Sequence, residues 1–297
     1  WISTAEAIEL VGAKVVFIDI EADTYNMDMA KLRAAITERT KAIIPVSLFG
    51  QIPDLDQANK IAEEFGIAII EDGAQSFGAT SKGRRSCSFT TIGSTSFFPA
   101  KPFGCYGDGG ALFTDDEELS LRMKRIRNHG SDQRHHHPHI GMNGRFDTIQ
   151  AATLLAKLPH FDGEIQRRSE IGEIYSEQLH EVCKTPHINE GNSHVYGQYT
   201  IRVNDREEFQ KTLSAKEIPT AIYYPRCLHE QPVYENLGYG LGDFPVAEKA
   251  AKEVLSLPMH PFQKNDEQER VIKAVLESQD SRKGETFVSS SVDGGSE

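Results

Sequence analysis

The chain is short of cysteine, positive charge and long apolar runs, and each shortage removes a class of protein. Its four cysteines, Cys87, Cys105, Cys183 and Cys227, are too widely spaced for a C-x-x-C site and too few to staple a chain of 297 residues, so they read as free thiols. Lysine and arginine number 32 against 44 aspartates and glutamates, a formal net charge of −12, which argues against nucleic acid or an anionic membrane as the main partner. No run of about 18 apolar residues and no charged-then-apolar leader occurs, so neither a membrane span nor secretion is expected, and a cytoplasmic location follows. No internal repeat is visible.

What remains is the composition of a globular protein, with 38% apolar residues, enough to bury one large core and a smaller appended one. Short β-branched runs at 14–18, 41–47 and 67–72 alternate with helical patterns at 27–36 and 55–65, which predicts βαβ units and a parallel sheet. Asp28 and Asp54 stand at the two helix starts and Gly66 just past the second helix end, where caps belong. Lys82-Gly83-Arg84-Arg85 reads as a hairpin turn, followed by strands at 90–97 and 110–114 and helices at 115–128, 148–157 and 163–182. Beyond them, strand signals at 195–203 and 220–224 alternate with helical ones at 207–216, 246–253 and 267–277. The expected organisation is a large domain over 1–162, an interdomain helix and small α/β domain over 163–279, and a disordered tail over 280–297, where serine and glycine replace apolar residues.

The chemistry concentrates on two residues. Asp72 ends the apolar run Ile67-Ala68-Ile69-Ile70-Glu71, which reads as a buried parallel strand, and ligands gather at the carboxyl ends of such strands. Lys101 lies in Ser96-Phe97-Phe98-Pro99-Ala100-Lys101-Pro102-Phe103-Gly104, a turn framed by proline and glycine with apolar neighbours that disfavour the charged amine. Taken singly, a lysine is usually a solvated charge and Asp-Gly usually a turn. Together, a lysine able to form a Schiff base and a carboxylate able to keep a pyridinium nitrogen protonated suit pyridoxal phosphate. The histidines at 129, 135–137 and 139 have no Cys or carboxylate partner at metal spacing and adjacent ones cannot converge on one ion, so no metal is expected. Gly104-x-x-Gly107-x-Gly109-Gly110 lacks Gly-Lys-Ser/Thr and precedes a strand, which makes it a poor phosphate loop. Cys105 reads as a small buried residue of the turn rather than a nucleophile.

The blocks Glu71-Asp72-Gly73-Ala74-Gln75-Ser76-Phe77-Gly78-Ala79, Ser96-Phe97-Phe98-Pro99-Ala100-Lys101 and Gly107-Asp108-Gly109-Gly110-Ala111 resemble the DegT/StrS family of nucleotide-sugar aminotransferases, over residues 1 to about 278. The resemblance implies an α/β fold of the fold-type I pyridoxal-phosphate aminotransferases: a large domain with a mostly parallel central sheet and a smaller C-terminal α/β domain. Within the family, Thr95-Ser96-Phe97-Phe98-Pro99 and the block 141–152 look most like the UDP-2-acetamido-2-deoxy-3-oxo-glucuronate aminotransferases of surface polysaccharide and lipopolysaccharide biosynthesis. By the same resemblance Lys101 is the lysine that attaches the cofactor and moves the proton, and Asp72 the partner of the pyridine nitrogen. Gln75 then lies near the ring hydroxyl, Ser96 on the phosphate and Trp1 stacked on the ring. Asn143 and Arg145 would reach a neighbouring subunit's cofactor and substrate, which requires a homodimer, with L-glutamate as amino donor. Against Gln75, Ser96, Trp1 and Arg145 stand plainer readings: a turn glutamine, a core serine, an aromatic covering exposed core, and a surface arginine near a helix start. The family's members carry a further N-terminal segment with a Gly-Thr turn for the phosphate, so a segment preceding Trp1 is expected. Two rivals remain: a sugar dehydratase, which would carry histidine where Lys101 stands, and an impaired fragment that dimerises or binds cofactor without turnover.

Overall fold

Strands form where an extended run finds a partner strand, and four runs meet in one sheet. The structure, a computed structural model, describes residues 1–289, with side chains to residue 278. It divides into two units: a larger one of Ile2–Gln166 with Ile188–Gly197, and a smaller one of Trp1, Arg167–His187 and the residues from Gln198 onward. The larger unit contains helices α1 (Ser3–Leu10) and α2 (Met29–Ala35), strand β1 (Ala42–Ile43), helix α3 (Leu55–Phe65) and strand β2 (Ala68–Asp72). It continues with the hairpin β3 (Thr80–Ser81) and β4 (Arg84–Arg85), strands β5 (Ile92–Ser96) and β6 (Gly110–Phe113), and helix α4 (Glu117–Arg127).

The central sheet has the order β1-β2-β5-β6; β2 runs parallel to both β1 and β5, and β6 is the antiparallel edge. The mostly parallel sheet is therefore as expected. The caps are too: Asp28 Oδ1 accepts the N–H groups of Ala30 and Lys31, Asp54 Oδ1 accepts that of Gln57, and Gly66 closes α3 at a φ of 64°. In the hairpin turn both Lys82 and Gly83 have positive φ, 48° and 78°, as a tight two-residue connection requires.

Two apolar clusters hold this unit. Met29, Leu32, Leu55, Ile61 and Ile69 join α2, α3 and the sheet. Phe97, Phe103, Cys105, Leu154 and Phe161 form the second, with Phe77 stacked 6.0 Å from Phe103 and 5.8 Å from Phe161. Each buried phenylalanine contributes about 1.5–3 kcal/mol from area alone. The second cluster lies directly under the Lys101 turn.

Helix α5 (Thr148–Leu179) is continuous, where two helices at 148–157 and 163–182 are expected. Pro159 removes one intrahelical donor, but Leu154 and Phe161 on either side of it are both buried in the second cluster, and that packing outweighs the lost bond. The two units divide between Gln166 and Arg167, against an expected 162/163, and residues 188–197 return to the larger unit through Val195 N–H to Gly50 O at 3.0 Å and Ser193 N–H to Thr80 O at 2.8 Å.

The smaller unit adds strand β7 (Tyr199–Arg202), helices α6 (Arg206–Ala215) and α7 (Pro245–Glu253), strand β8 (Val254–Leu257) and helix α8 (Asn265–Ser289). β7 and β8 pair antiparallel, and the Tyr175 hydroxyl donates to Pro258 O at 3.1 Å from α5. Two expected strands differ: residues 14–18 form no ladder, with Val16 exposed, and 220–224 contributes only a bridge between Ala221 and Ser256. The expected tail begins inside α8, and its residues 290–297 lie outside the described residues. Among the described residues, no helix is long and apolar enough to cross a membrane.

Candidate active site

Period-2 alternation along β2 sends Ile69 and Glu71 to one face, both buried, and Ile70 and Asp72 to the other, both half-buried. Asp72 is the last residue of this central strand, and its backbone is held from both sides. Its carbonyl accepts Ser47 N–H at 3.0 Å, its N–H donates to Pro45 O at 2.9 Å, and the next residue's N–H donates to Ser94 O at 2.8 Å. The carboxylate is also fixed: Oδ1 accepts Ala74 N–H at 3.1 Å, and Oδ2 accepts the Thr4 hydroxyl at 2.7 Å.

Behind Asp72, Glu71 is buried completely. Its carboxyl accepts the Ser86 hydroxyl at 2.7 Å and the Cys87 N–H at 2.8 Å, and Ser86 Oγ lies 2.7 Å from Ser76 Oγ. Burial raises the Glu71 pKa, while the Cys87 and Ser86 hydrogen bonds oppose the rise. Cys87 stands at a φ of 69° and packs so near β2 that a Cβ on Gly73 would come within 2.6 Å of its Sγ. Burial pushes the Cys87 thiol up to about 12, so it is inert at neutral pH.

Lys101 follows β5 in a turn closed by Lys101 N–H to Phe98 O at 2.9 Å and Cys105 N–H to Phe97 O at 2.8 Å. Phe97, Phe103 and Cys105 anchor the turn in the second cluster. Gly104 is required there, because a Cβ would lie 2.6 Å from Pro99 O. From α5, the Lys157 ammonium donates to Gly104 O at 2.6 Å and Gln150 Oε1 accepts Tyr106 N–H at 2.8 Å. The Lys101 side chain is half-buried; burial lowers its pKa and the charge of Asp72 opposes the shift. The neutral amine is thereby made more accessible within reach of the carboxylate's field.

The other expected site residues distribute unevenly. Gln75 is buried, not an exposed turn residue, and its Oε1 accepts Phe49 N–H at 2.6 Å in the 3-10 turn Leu48–Gly50. Ser96 ends β5 and its Oγ accepts Phe98 N–H at 3.2 Å, which leaves the hydroxyl proton uncommitted by that bond. Trp1 belongs to the smaller unit, exposed, with its ring 6.1 Å from that of Tyr224. Asn143 and Arg145 are exposed at the end of α4: Asn143 bridges Asn128, and Arg145 donates to Asn128 Oδ1 at 3.4 Å. Neither hydrogen-bonds Asp72 or Lys101. Nearby, His136 Nδ1 lies 2.6 Å from Asp132 Oδ1 and His137 Nδ1 2.9 Å from His129 O, and among the described residues no cluster of ligands suits a metal.

Thr4, Glu71, Gln150 and Lys157 hydrogen-bond the residues of the candidate site and its turn, and the sequence pattern did not single them out. Only Glu71 leaves a trace, as a carboxylate on the Ile69 face of an apolar strand, where a buried partner has to be sought. Together, a partly desolvated amine, an anchored carboxylate at adjoining strand ends and a strand-end hydroxyl form the donor set that pyridoxal phosphate needs at its carbonyl, ring nitrogen and phosphate. The residues present fit that group.

The model of the DegT/DnrJ/EryC1/StrS aminotransferase family matches residues 1–276. The chain is 51% identical over 263 residues to a UDP-2-acetamido-2-deoxy-3-oxo-D-glucuronate aminotransferase of Pseudomonas aeruginosa, covering 88% of this chain and 72% of that protein. Among solved structures, an aminotransferase of the same family from Brucella abortus superposes with a TM-score of 0.91 at 40% identity, covering 94% of this chain and 77% of that one. DesV of S. venezuelae, solved in complex with a ketimine intermediate, also superposes with a TM-score of 0.91 at 36% identity, over 93% of this chain and 75% of that one.

Proposed function

The chain belongs to the DegT/DnrJ/EryC1/StrS family and is a pyridoxal-phosphate-dependent sugar aminotransferase with the fold-type I architecture, and on that premise we propose that it aminates the 3-keto group of UDP-2-acetamido-2-deoxy-3-oxo-glucuronate with L-glutamate as donor. When bound, the cofactor supplies a carbonyl for covalent attachment and an electron sink for the substrate carbanion. The single observation carrying the reading is the Lys101 amine, held short of full solvation beside Asp72 at the carboxyl ends of β2 and β5.

Lys101 would hold the cofactor through its amine, and its Nζ is the group that would accept and return the substrate's proton. The Asp72 carboxylate would pair with the ring nitrogen. Ser96 would donate to the phosphate, and Gln75 would border the ring hydroxyl while holding the Leu48–Gly50 turn. Asn143 and Arg145 act across a homodimer, Asn143 on the partner's cofactor phosphate and Arg145 as a bidentate partner for the carboxylate of the sugar acid or of glutamate. Exposed Ile140, Met142, Ile149 and Leu155, in and around that block, support a second copy as the surface that covers them. The enzyme acts in the cytoplasm and its amino sugar feeds surface polysaccharide assembly.

The test assays 3-keto and 4-keto nucleotide sugars side by side with glutamate, and maps the pyridoxyl label left after borohydride reduction. Preference for the 3-keto uronate, with the label on Lys101, is expected. Preference for a neutral 4-keto sugar overturns the substrate, and label scattered over surface lysines overturns the site.

A further inference from the structure

Thr4 occupies the first turn of α1, yet its hydroxyl turns away from the helix and donates to Asp72 Oδ2 at 2.7 Å, across 68 residues of sequence. The helix does not need that hydroxyl as a cap. Its N-cap is Ile2, without a side-chain cap, and the first free N–H groups, those of Ala5 and Glu6, are taken by Ile2 O. Of the residues of α1 only Ala5 is buried, while Leu10 is exposed, so the helix is not held here by a large apolar face.

On the Asp72 side, the carboxylate is gripped at both oxygens, Oδ1 by Ala74 N–H and Oδ2 by Thr4. An ionised carboxylate has about four acceptor sites, so two donors, one per oxygen, fix its plane and leave lone pairs for a further N–H.

We propose that Thr4 is a positioning residue of the transamination reaction, whose hydroxyl fixes the orientation of the Asp72 carboxylate toward the cofactor's ring nitrogen. The proposal rests on the role assigned to Asp72 above. The action assigned to Thr4 runs through Asp72. A purely structural role, pinning α1 to β2, would lower the stability of the cofactor-free protein and leave the electronics of the loaded protein unchanged.

The experiment compares the native chain with Thr4→Val, Thr4→Ala, Thr4→Ser and Asp72→Asn. The readouts are the dissociation constant of pyridoxal phosphate, the pH dependence of the visible absorbance of the loaded protein, and the melting temperature of the cofactor-free protein. Thr4→Val and Thr4→Ala should weaken cofactor binding by about tenfold, the scale of one hydrogen bond to a charged group, and shift the absorbance titration in the direction of Asp72→Asn. Thr4→Ser, which keeps the hydroxyl, should restore both. Having two hydroxyl-free variants protects the test should one fail to fold. Native binding and titration in Thr4→Val and Thr4→Ala, with Asp72→Asn altered, would overturn the Thr4 assignment alone. An unaltered Asp72→Asn would overturn the Asp72 role and this proposal with it.

Discussion

Replacing Lys157 with methionine keeps the length of the side chain and removes one donor, and the structure says what that donor does. The Lys157 ammonium is bonded at 2.6 Å to the carbonyl of Gly104, a buried residue three positions beyond Lys101. Leaving a buried carbonyl without its charged donor costs about 1–3 kcal/mol. Taking about 2 kcal/mol, the melting temperature of the larger unit should fall by about 4–8 °C. The same loss loosens a turn in which Gly104 has no spare room and Phe97 and Phe103 are already buried, so the displacement falls on the exposed side that carries Lys101. Misplacing a reacting group by about 1 Å costs up to about a hundredfold in rate, and roughly tenfold slower turnover is expected for a partial shift. Gln150→Ala serves as the internal contrast. It removes a partner of Tyr106 N–H, but Tyr106 is 83% exposed, water replaces the bond, and stability should change by less than about 0.5 kcal/mol. Calorimetry of the three proteins, with steady-state turnover and the rate of borohydride-trapped labelling at Lys101, decides the matter. A Lys157→Met protein that melts within about 1 °C of the native one and labels at the native rate would refute the reasoning.

Two further outcomes concern buried titrating groups of the larger unit. Glu71 has its pKa raised by burial, so its contribution to stability is complete below the unfolded value of about 4.5 and is lost as pH rises through the folded one. Glu71→Gln, which can still accept from Cys87 N–H, should flatten that dependence in urea unfolding measured against pH, whereas Glu71→Ala strands the Cys87 donor and should cost about 1–3 kcal/mol at every pH. His194 goes the other way: burial depresses its pKa from 6.5 to about 3, so its contribution is present above 6.5 and lost as pH falls from there toward 3. A His194→Gln protein, able to keep the acceptor for Tyr196 N–H, should lose this limb of the acid unfolding curve; an unchanged limb would show that the ring is not the titrating group.

Legibility in the sequence followed the range of the interactions. α3 is as expected from end to end, 55–65, because an apolar stripe, an aspartate before it and a glycine after it are all local signals. Residues 14–18 carry the β-branched composition of a strand, yet among the described residues no strand pairs with them, and composition without a ladder partner does not make a strand. Pro159 is the reverse case, a local breaker overruled by burial of Leu154 and Phe161. β8 leaves no separate signal, because the four residues Val254–Leu257 follow α7 without a turn and one buried run looks like the end of the helix.

The sequence by itself determined the class of chemistry: a lysine in an apolar turn and a carboxylate at a strand end are the residue types that pyridoxal phosphate demands, and their local surroundings are written in the residues on either side. It also determined the family, since Asp72, Ser96 and Lys101 stand in contiguous blocks. Only the tertiary structure decided which groups hold those residues in place. Thr4 reaches Asp72 over 68 residues, and Lys157 reaches Gly104 over 53. A hydrogen bond between distant segments leaves no period, cap or turn in the chain to read, because the partners become neighbours only after strands and helices have packed.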